Sequence, residues 1–586
     1  MPWTRFCALL ALLLGHACGV GSKAQVNDEP PSDADAGTAV LDASASGGSG
    51  RPELRLQLRE DFDNTNLIDS TSGAIVDVNR GAATLPVQRI LAAERDAIEA
   101  TQIDDDIELN GLVQASAFTL SDGATFHAPD SVELRIAGPV RIAGVLTAGS
   151  GGITIMAEGS IEVPGLIRSS GPVLLAIAHE DSQIAVTGRV ETWPEHPNRA
   201  SDIRLIGRGA ASIAGSVVAY ALNGQQGGEI AIETYGRISI ESPVGRVMTA
   251  AQPGGTPGSV RLTSDFAVEF GPDTAMSDLA TTDTEFAAQA VSGGAIEILA
   301  PTVVFGERSR LGPPFDAEHS GTSVHVIAPD VLVVGAEATI AGGAGTIGGG
   351  IRAEAGRVVL EAAARMEGGF GKTLGGSMRI MAAKRLELGR DASLHGGSAA
   401  CGGGGEVEIV SETMVADTNA VVEGGDGDRA ESDECRPGSG SRGGDVTVTV
   451  VSASGIDSAL SAGHGEEPGR VFQLGPPTSP LNEPDLGNRT QGWIESRVFD
   501  RGASAVGLVP RLVDSRFERP LDTSIEVLLS GSPDPEGPFD TWVDALSAQL
   551  DPTRNGRYFR YRVSLRGRSF DAPVLDAFAI DLAPND

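Results

Sequence analysis

The chain has 586 residues, enough for several domains, and a formal net charge of −35. An acidic surface of this size repels phosphate, which excludes nucleic acid as a partner and fits a soluble, outward-facing protein. With 77 Gly, 4% aromatics and no collagen period, the composition points to tight turns between short strands.

The N-terminus reads as an export signal. Arg5 precedes an apolar run from Phe6 to Leu14, too short to span a bilayer and the right size for a signal-peptide core. Two processing sites stay open. Cys18, preceded by Gly15-His16-Ala17, resembles a bacterial lipobox. That resemblance implies a signal peptide over 1–18, a lipid on Cys18 and an outer-membrane-anchored lipoprotein that meets the membrane only through the lipid. Ser22-Lys23-Ala24 is instead a small-x-small site that would release a secreted protein. Residues 19–50 are Asp, Pro, Ser, Gly and Ala without an apolar period, a disordered acidic tether.

Residues 51–106 hold alternating strands, such as Leu54-Arg55-Leu56-Gln57-Leu58, that either cap the repeat region that follows or complete a sandwich elsewhere. The stretch 87–100 has apolar spacing near 3.6, which predicts a short helix.

Residues 107–475 are repetitive. A short alternating strand recurs at Val132, Ile153, Val173, Ile203, Ile230, Val260, Ile296, Val324, Val358, Met378, Val407 and Val446. The shortest intervals are near 20 residues. Each holds two further strands, separated by small residues such as Gly165 and Gly215, whose expected role is to supply positive φ where the chain bends. Three short strands per coil predict a right-handed parallel β-helix, whose coils share a ladder of Val, Ile and Leu. This region resembles the haemagglutinin- and autotransporter-type β-helices of bacterial surface proteins. A two-sheet sandwich array is the alternative architecture.

Residues 476–490 are a Pro-rich linker. Residues 491–586 alternate strongly and carry aromatics, which predicts an antiparallel β-sandwich. It resembles the jelly-roll-like modules of bacterial extracellular proteins through Ile494-Glu495-Ser496-Arg497-Val498-Phe499-Asp500 and the strand from Gly556 to Leu565. That resemblance implies a carbohydrate-binding or docking role. Trp493, Trp542, Tyr558 and Tyr561 are the candidates for stacking on sugar, or else core residues of the sandwich.

Once the signal is removed, and with it or under lipid Cys18, the cysteines left are Cys401 and Cys435. In an oxidising compartment they predict a disulfide across an acidic excursion. Catalytic signals are sparse. Gly463-His464-Gly465 matches a triplet of polygalacturonase-type hydrolases, but Asp104-Asp105-Asp106 lies at the other end of the repeat region. His464 is therefore read as a solvated loop residue. Gly424-Gly425-Asp426-Gly427-Asp428 has some look of a Ca²⁺ loop but occurs once, so it is read as an unliganded acidic loop and no cofactor is expected, with Ca²⁺ as the alternative. No metal spacing, nucleophile elbow or P-loop is present, and no catalytic residue is assigned. The reading is a non-enzymatic cell-surface structural or adhesive protein, its β-helix a stiff spacer, its partner a polysaccharide or a surface protein. The alternatives are a polysaccharide-active β-helix hydrolase or lyase, and a carbohydrate-binding module on an inert stalk.

Overall fold

The computed structural model describes residues 56–60, 68–72, 74–77, 82–84, 99–193, 201–221, 227–241, 245–251, 258–272, 275–276, 294–312, 321–427, 441–456, 458–477, 481, 490–500, 508–518, 523–537, 539, 542–544, 558–567 and 573–584. The signal peptide, Cys18, the acidic tether, Cys435 and nearly all of the expected helix over 87–100 lie outside them. The described residues form strands and turns, with no helix.

From Thr101 to Leu474 the strands stack in parallel as a β-helix-like solenoid. The first parallel pair joins Thr101–Ile103 to Phe118–Leu120, a little before the expected start at 107. One coil shows the plan. Ser131–Ile136 lies in a first sheet, Val140–Ile142 in a second and Val145–Ala148 in a third. The next coil repeats it with Gly152–Ala157, Ile161–Val163 and Leu166–Ser169, each paired in parallel with its predecessor. Alternation builds the core. In Ser131–Ile136, Val132, Leu134 and Ile136 are buried, while Ser131, Glu133 and Arg135 are less so. One coil cannot cover its own apolar face, so the ladder is contiguous from Ala115 to Ala459.

Register locates the coils. Val132 pairs with Ile153, Ile153 with Val173, and Val173 with Ile203, as the sequence spacing predicts. One marker is wrong. Val324 pairs with Ile351, which pairs with Met378. Val358 belongs to the second half of Ile351–Leu360. From Ser323–Val334 onward, the first and second strands of a coil fuse into one long bent strand. Their corner becomes a register shift, and each coil then offers two equally good apolar triplets as its start. In the longer coils the third-sheet strands Arg189–Thr192, Ser216–Ala221, Arg246–Ala251, Ala275–Met276 and Arg310–Leu311 are each followed closely by residues outside the described set.

The glycine corners work differently from expectation. Gly165 and Gly215 do not have positive φ. A Cβ on Gly165 would lie 2.1 Å from the Gly144 carbonyl oxygen, and one on Gly215 2.0 Å from that of Gly188. Closeness to the neighbouring coil demands Gly there. Among the described solenoid residues positive φ occurs at other glycines, Gly111, Gly123, Gly152 and Gly455, and at Arg308, Glu337, Ala363, Asp391 and Asn419, the last five one per coil in a turn that recurs between the second and third sheets.

Residues 342–469 contain a run of close backbone crossings at glycine. After the third-sheet strands Thr339–Ala341, Arg365–Glu367, Ser393–His395 and Val421–Glu423 the chain passes through a Gly-Gly step, leaves the coil on an excursion and returns through a further glycine, and after Leu460–Ser461 the step is Ala462-Gly463. The backbones bond in one column: Gly349 N–H donates to Gly343 O (2.7 Å), Gly369 to Gly349 (2.8 Å), Gly376 to Gly369 (2.8 Å), Gly397 to Gly376 (2.8 Å) and Gly405 to Gly397 (2.7 Å). The column runs on through Gly425, Gly444 and Gly463 to Gly469. A Cβ on Gly397 would sit 2.0 Å from Gly369 O and 2.5 Å from Gly376 N. The excursions stack in turn, Gly345–Ile347 on Gly371–Leu374, with further bridges to Ala399, Gly403 and Gly427.

Strands from both ends of the chain build two antiparallel sheets. Leu56–Glu60, Ala82–Thr84 and Leu508–Glu518 each pair with Val574–Pro584, and Ile75–Asp77 pairs with Ala82–Thr84. Ile68–Ser72 pairs with Thr490–Ser496, which pairs with Tyr558–Gly567, beside Ser524–Ser532. The sheets share a core that includes Ala83, Ile494, Leu529, Tyr561, Val563, Leu575 and Phe578. Strands of the leading segment thus lie in the antiparallel sheets, while its last strand, Thr101–Ile103, pairs with the solenoid.

Replacing Gly397 by Ala drives a Cβ into backbone that cannot withdraw and is expected to cost more than about 4 kcal/mol. Gly403→Ala, whose Cβ meets Leu374 Cδ1 at 3.4 Å and Arg442 O at 3.9 Å, both ordinary contacts, is expected to stay within about 1 kcal/mol of wild type. Chemical denaturation of the two variants checks this. Equal stability would refute the close-approach account.

Candidate functional site: an acidic groove beside the glycine column

The third-sheet strands Arg365–Glu367, Ser393–His395 and Val421–Glu423 stack in register. Met366, Leu394 and Val422 point into the core and are fully buried. Strand alternation therefore turns Glu367, His395 and Glu423 outward in one column, one residue per coil. Each is followed by a Gly-Gly step and then by Phe370, Ser398 or Asp426 at the base of an excursion. The glycines keep the floor thin. The two columns of side chains form the walls of a groove of about 390 Å³.

The groove is polar and acidic, with one aromatic edge. His395 Nδ1 lies 3.3 Å from a Glu423 carboxylate oxygen, and both side chains are about one-third exposed. Asp426 accepts from the His464 backbone N–H at 2.7 Å and donates its own N–H to Ser398 Oγ at 3.3 Å. Phe370 is 41% exposed. The backbone beneath is satisfied, since Gly368 N–H donates to His395 O and Gly396 N–H to Glu423 O, both at 2.8 Å. The side chains are thus held at strand spacing, about 4.8 Å per coil. They offer carboxylate acceptors, an imidazole, a hydroxyl and an apolar ring.

Sequence reasoning found one rung of this groove, at Gly424 to Asp426, and took it for an isolated acidic turn. The signal it missed is the repeat x-Gly-Gly-x at 341–344, 367–370, 395–398 and 423–426. Among the described residues no group of three or more His, Cys, Asp or Glu is arranged to hold a metal, and Asp428 lies outside them. His464 is exposed and sits by Asp426, whereas Asp104, Asp105 and Asp106 lie in the first coil. The carboxylate run and the histidine are not brought together. Asp104 instead accepts from the Ser121 hydroxyl and from Gln102, bonds that hold its carboxyl below the usual range. Cys401 is disulfide-bonded. The buried Glu191, on the outer side of the third sheet, is taken up by Arg168 and Arg189.

The aromatic candidates of the antiparallel sheets divide by strand parity. Tyr561 is fully buried and meets Phe578 edge-on, with centroids 4.9 Å apart. The sugar-stacking alternative is corrected for this residue, which is core. Tyr558 is half-buried and shares the outer-face parity of Arg560 and Arg562. Trp493 and Trp542 are engaged by guanidinium groups. Arg562 Cζ lies 4.8 Å from the Trp493 ring centroid and 4.4 Å from that of Trp542, and Arg560 stacks on Phe539 at 4.4 Å and on Trp542 at 4.9 Å. Both arginines pair with Glu495, which is 7% exposed, Arg562 at 2.8 Å. The guanidiniums thus tie Trp493 and Trp542 to Glu495 through cation–π and ion-pair contacts.

No family model, curated protein or solved structure matches the chain.

Glu495→Gln strips the countercharge from two half-buried guanidiniums. It is expected to destabilise the antiparallel sheets by roughly 2–3 kcal/mol, somewhat less than a fully buried broken pair because the arginines keep some solvent. Trp493 and Trp542 fluorescence during denaturation reports the change. An unaltered transition would show that the cluster adds nothing.

Proposed function

We propose that the protein is a non-enzymatic structural or adhesive protein of the cell surface, a right-handed parallel β-helix with a β-sandwich, whose acidic groove binds an extracellular polysaccharide. The observation that carries this reading is the line Glu367, His395 and Glu423 opposite Phe370, Ser398 and Asp426. Carboxylates and a hydroxyl bond sugar hydroxyls, and an exposed ring packs on sugar C–H faces. Groups repeated once per coil suit a polymer lying along the solenoid axis. A cationic segment of a surface protein is the second partner the acidity supports. Membrane attachment would come through a lipid on Cys18, and release after Ala24 would leave the protein secreted.

Spacing bears on the alternative, a polysaccharide-active hydrolase or lyase. Glu367 and Glu423 stand two coils apart, about 9–10 Å. That exceeds the ~5 Å of a retaining pair and touches the upper limit of an inverting one.

The test is a glycan and polysaccharide array with residues 51–586, with product analysis on every hit. The expected result is binding without cleavage, weakened at least about tenfold by Phe370→Ala and by Glu423→Gln, which removes about 1.4 kcal/mol or more. Shortened product would establish the enzyme instead. Binding indifferent to both substitutions would remove the groove from the account.

A further inference from the structure

We infer that the solenoid is an insertion within the antiparallel module, and that this module sits on the solenoid's flank and not beyond either end. The pairing pattern requires the first part. Ala82–Thr84 and Ile68–Ser72 precede the solenoid, yet they pair with Val574–Pro584 and Thr490–Ser496, which come after it. Both ends of the rod therefore return to one small body.

Chain length requires the second part. Thr84 and Thr101 are 17 positions apart (101 − 84). A chain of that length reaches at most about 60 Å when fully extended. Leu474 and Thr490 are 16 apart (490 − 474), a reach of at most about 57 Å. Along the first sheet, 13 in-register steps lead from Gly111 to Val471. At about 4.8 Å per step the rod is about 62 Å long, and slightly more from Thr101. A module beyond one end would force the opposite tether to cover the whole rod and the sideways path to the module's own strands. Neither tether is long enough. The module must lie alongside, within reach of both.

The spacer arrangement expected from the linear order of segments is thereby replaced. An anchor at the N-terminus would fasten the antiparallel module, and the presented part would be the solenoid with its open flank. This holds whether or not the groove binds a glycan.

Distances between paired spin labels test it in residues 51–586. Glu526→Cys, exposed on the six-stranded sheet, is combined in turn with Thr119→Cys in an early coil and Thr447→Cys in a late one. The Thr119→Cys/Thr447→Cys pair serves as the control and should read near 58 Å, the 12 steps between their coils. The expected result is that both distances from Glu526→Cys are shorter than the control. A distance from Glu526→Cys beyond about 65 Å to either coil would place the module past an end and overturn the proposal. A control far from about 58 Å would overturn the register on which it rests.

Discussion

Two backbones can lie side by side at hydrogen-bonding distance, outside a regular sheet, only where neither carries a Cβ in the gap. That constraint governs the second half of the solenoid. The column from Gly343 to Gly469 is a line of N–H to carbonyl bonds between chain crossings, most of them 2.7–2.8 Å long. It satisfies polar groups that would otherwise be buried unpaired where each excursion leaves and rejoins its coil. Other features depend on it. The excursions stack because their stems are locked one coil apart. The groove exists because the floor between Glu367 and Phe370 is only two glycines wide. Its side chains are pre-positioned by a rigid backbone, which lowers the ordering cost of binding.

The two parts of the protein use different means of cohesion. The solenoid relies on an apolar ladder and on backbone bonds between coils. Its outward ion pairs, such as Arg261 with Glu297 at 2.8 Å and Arg357 with Glu387 at 2.6 Å, lie at half-exposed positions. There each is worth less than about 1 kcal/mol, so they tune register more than stability. The antiparallel module is too small for a deep core. It adds a nearly buried carboxylate clasped by Arg560 and Arg562, with aromatic rings stacked on the guanidiniums. Inserting a long rod between two strands of so small a body is tolerable because loop-closure entropy grows only with the logarithm of loop length. Once folded, the rod fixes its own ends, and the tethers alone remain to be ordered.

The sequence was most legible where one signal had one cause. Val, Ile and Leu triplets marked nearly every coil because an inward strand position must be apolar whatever surrounds it. Val358 misled because the fused strand offered two such triplets in one coil. The role of Gly165 and Gly215 was misread because glycine serves two needs, positive φ and close approach, which the sequence does not separate. The groove escaped notice because its residues are 28 positions apart along the chain, as Glu367, His395 and Glu423 are, and become neighbours only through the register. Closure of the chain by strands from both termini stood only as one of two alternatives, since an alternating segment shows that it pairs without showing with what.

The central claim is that the glycine column is a structural element and not a set of flexible loops. Native-state hydrogen exchange on the full chain tests it most directly. The account predicts that the amides of Gly369, Gly397 and Gly425 exchange in the slowest class, together with Ile380 and Ile409 of the core strands. Exchange of those glycine amides at the rate of exposed turns, while the strand amides stay protected, would contradict it.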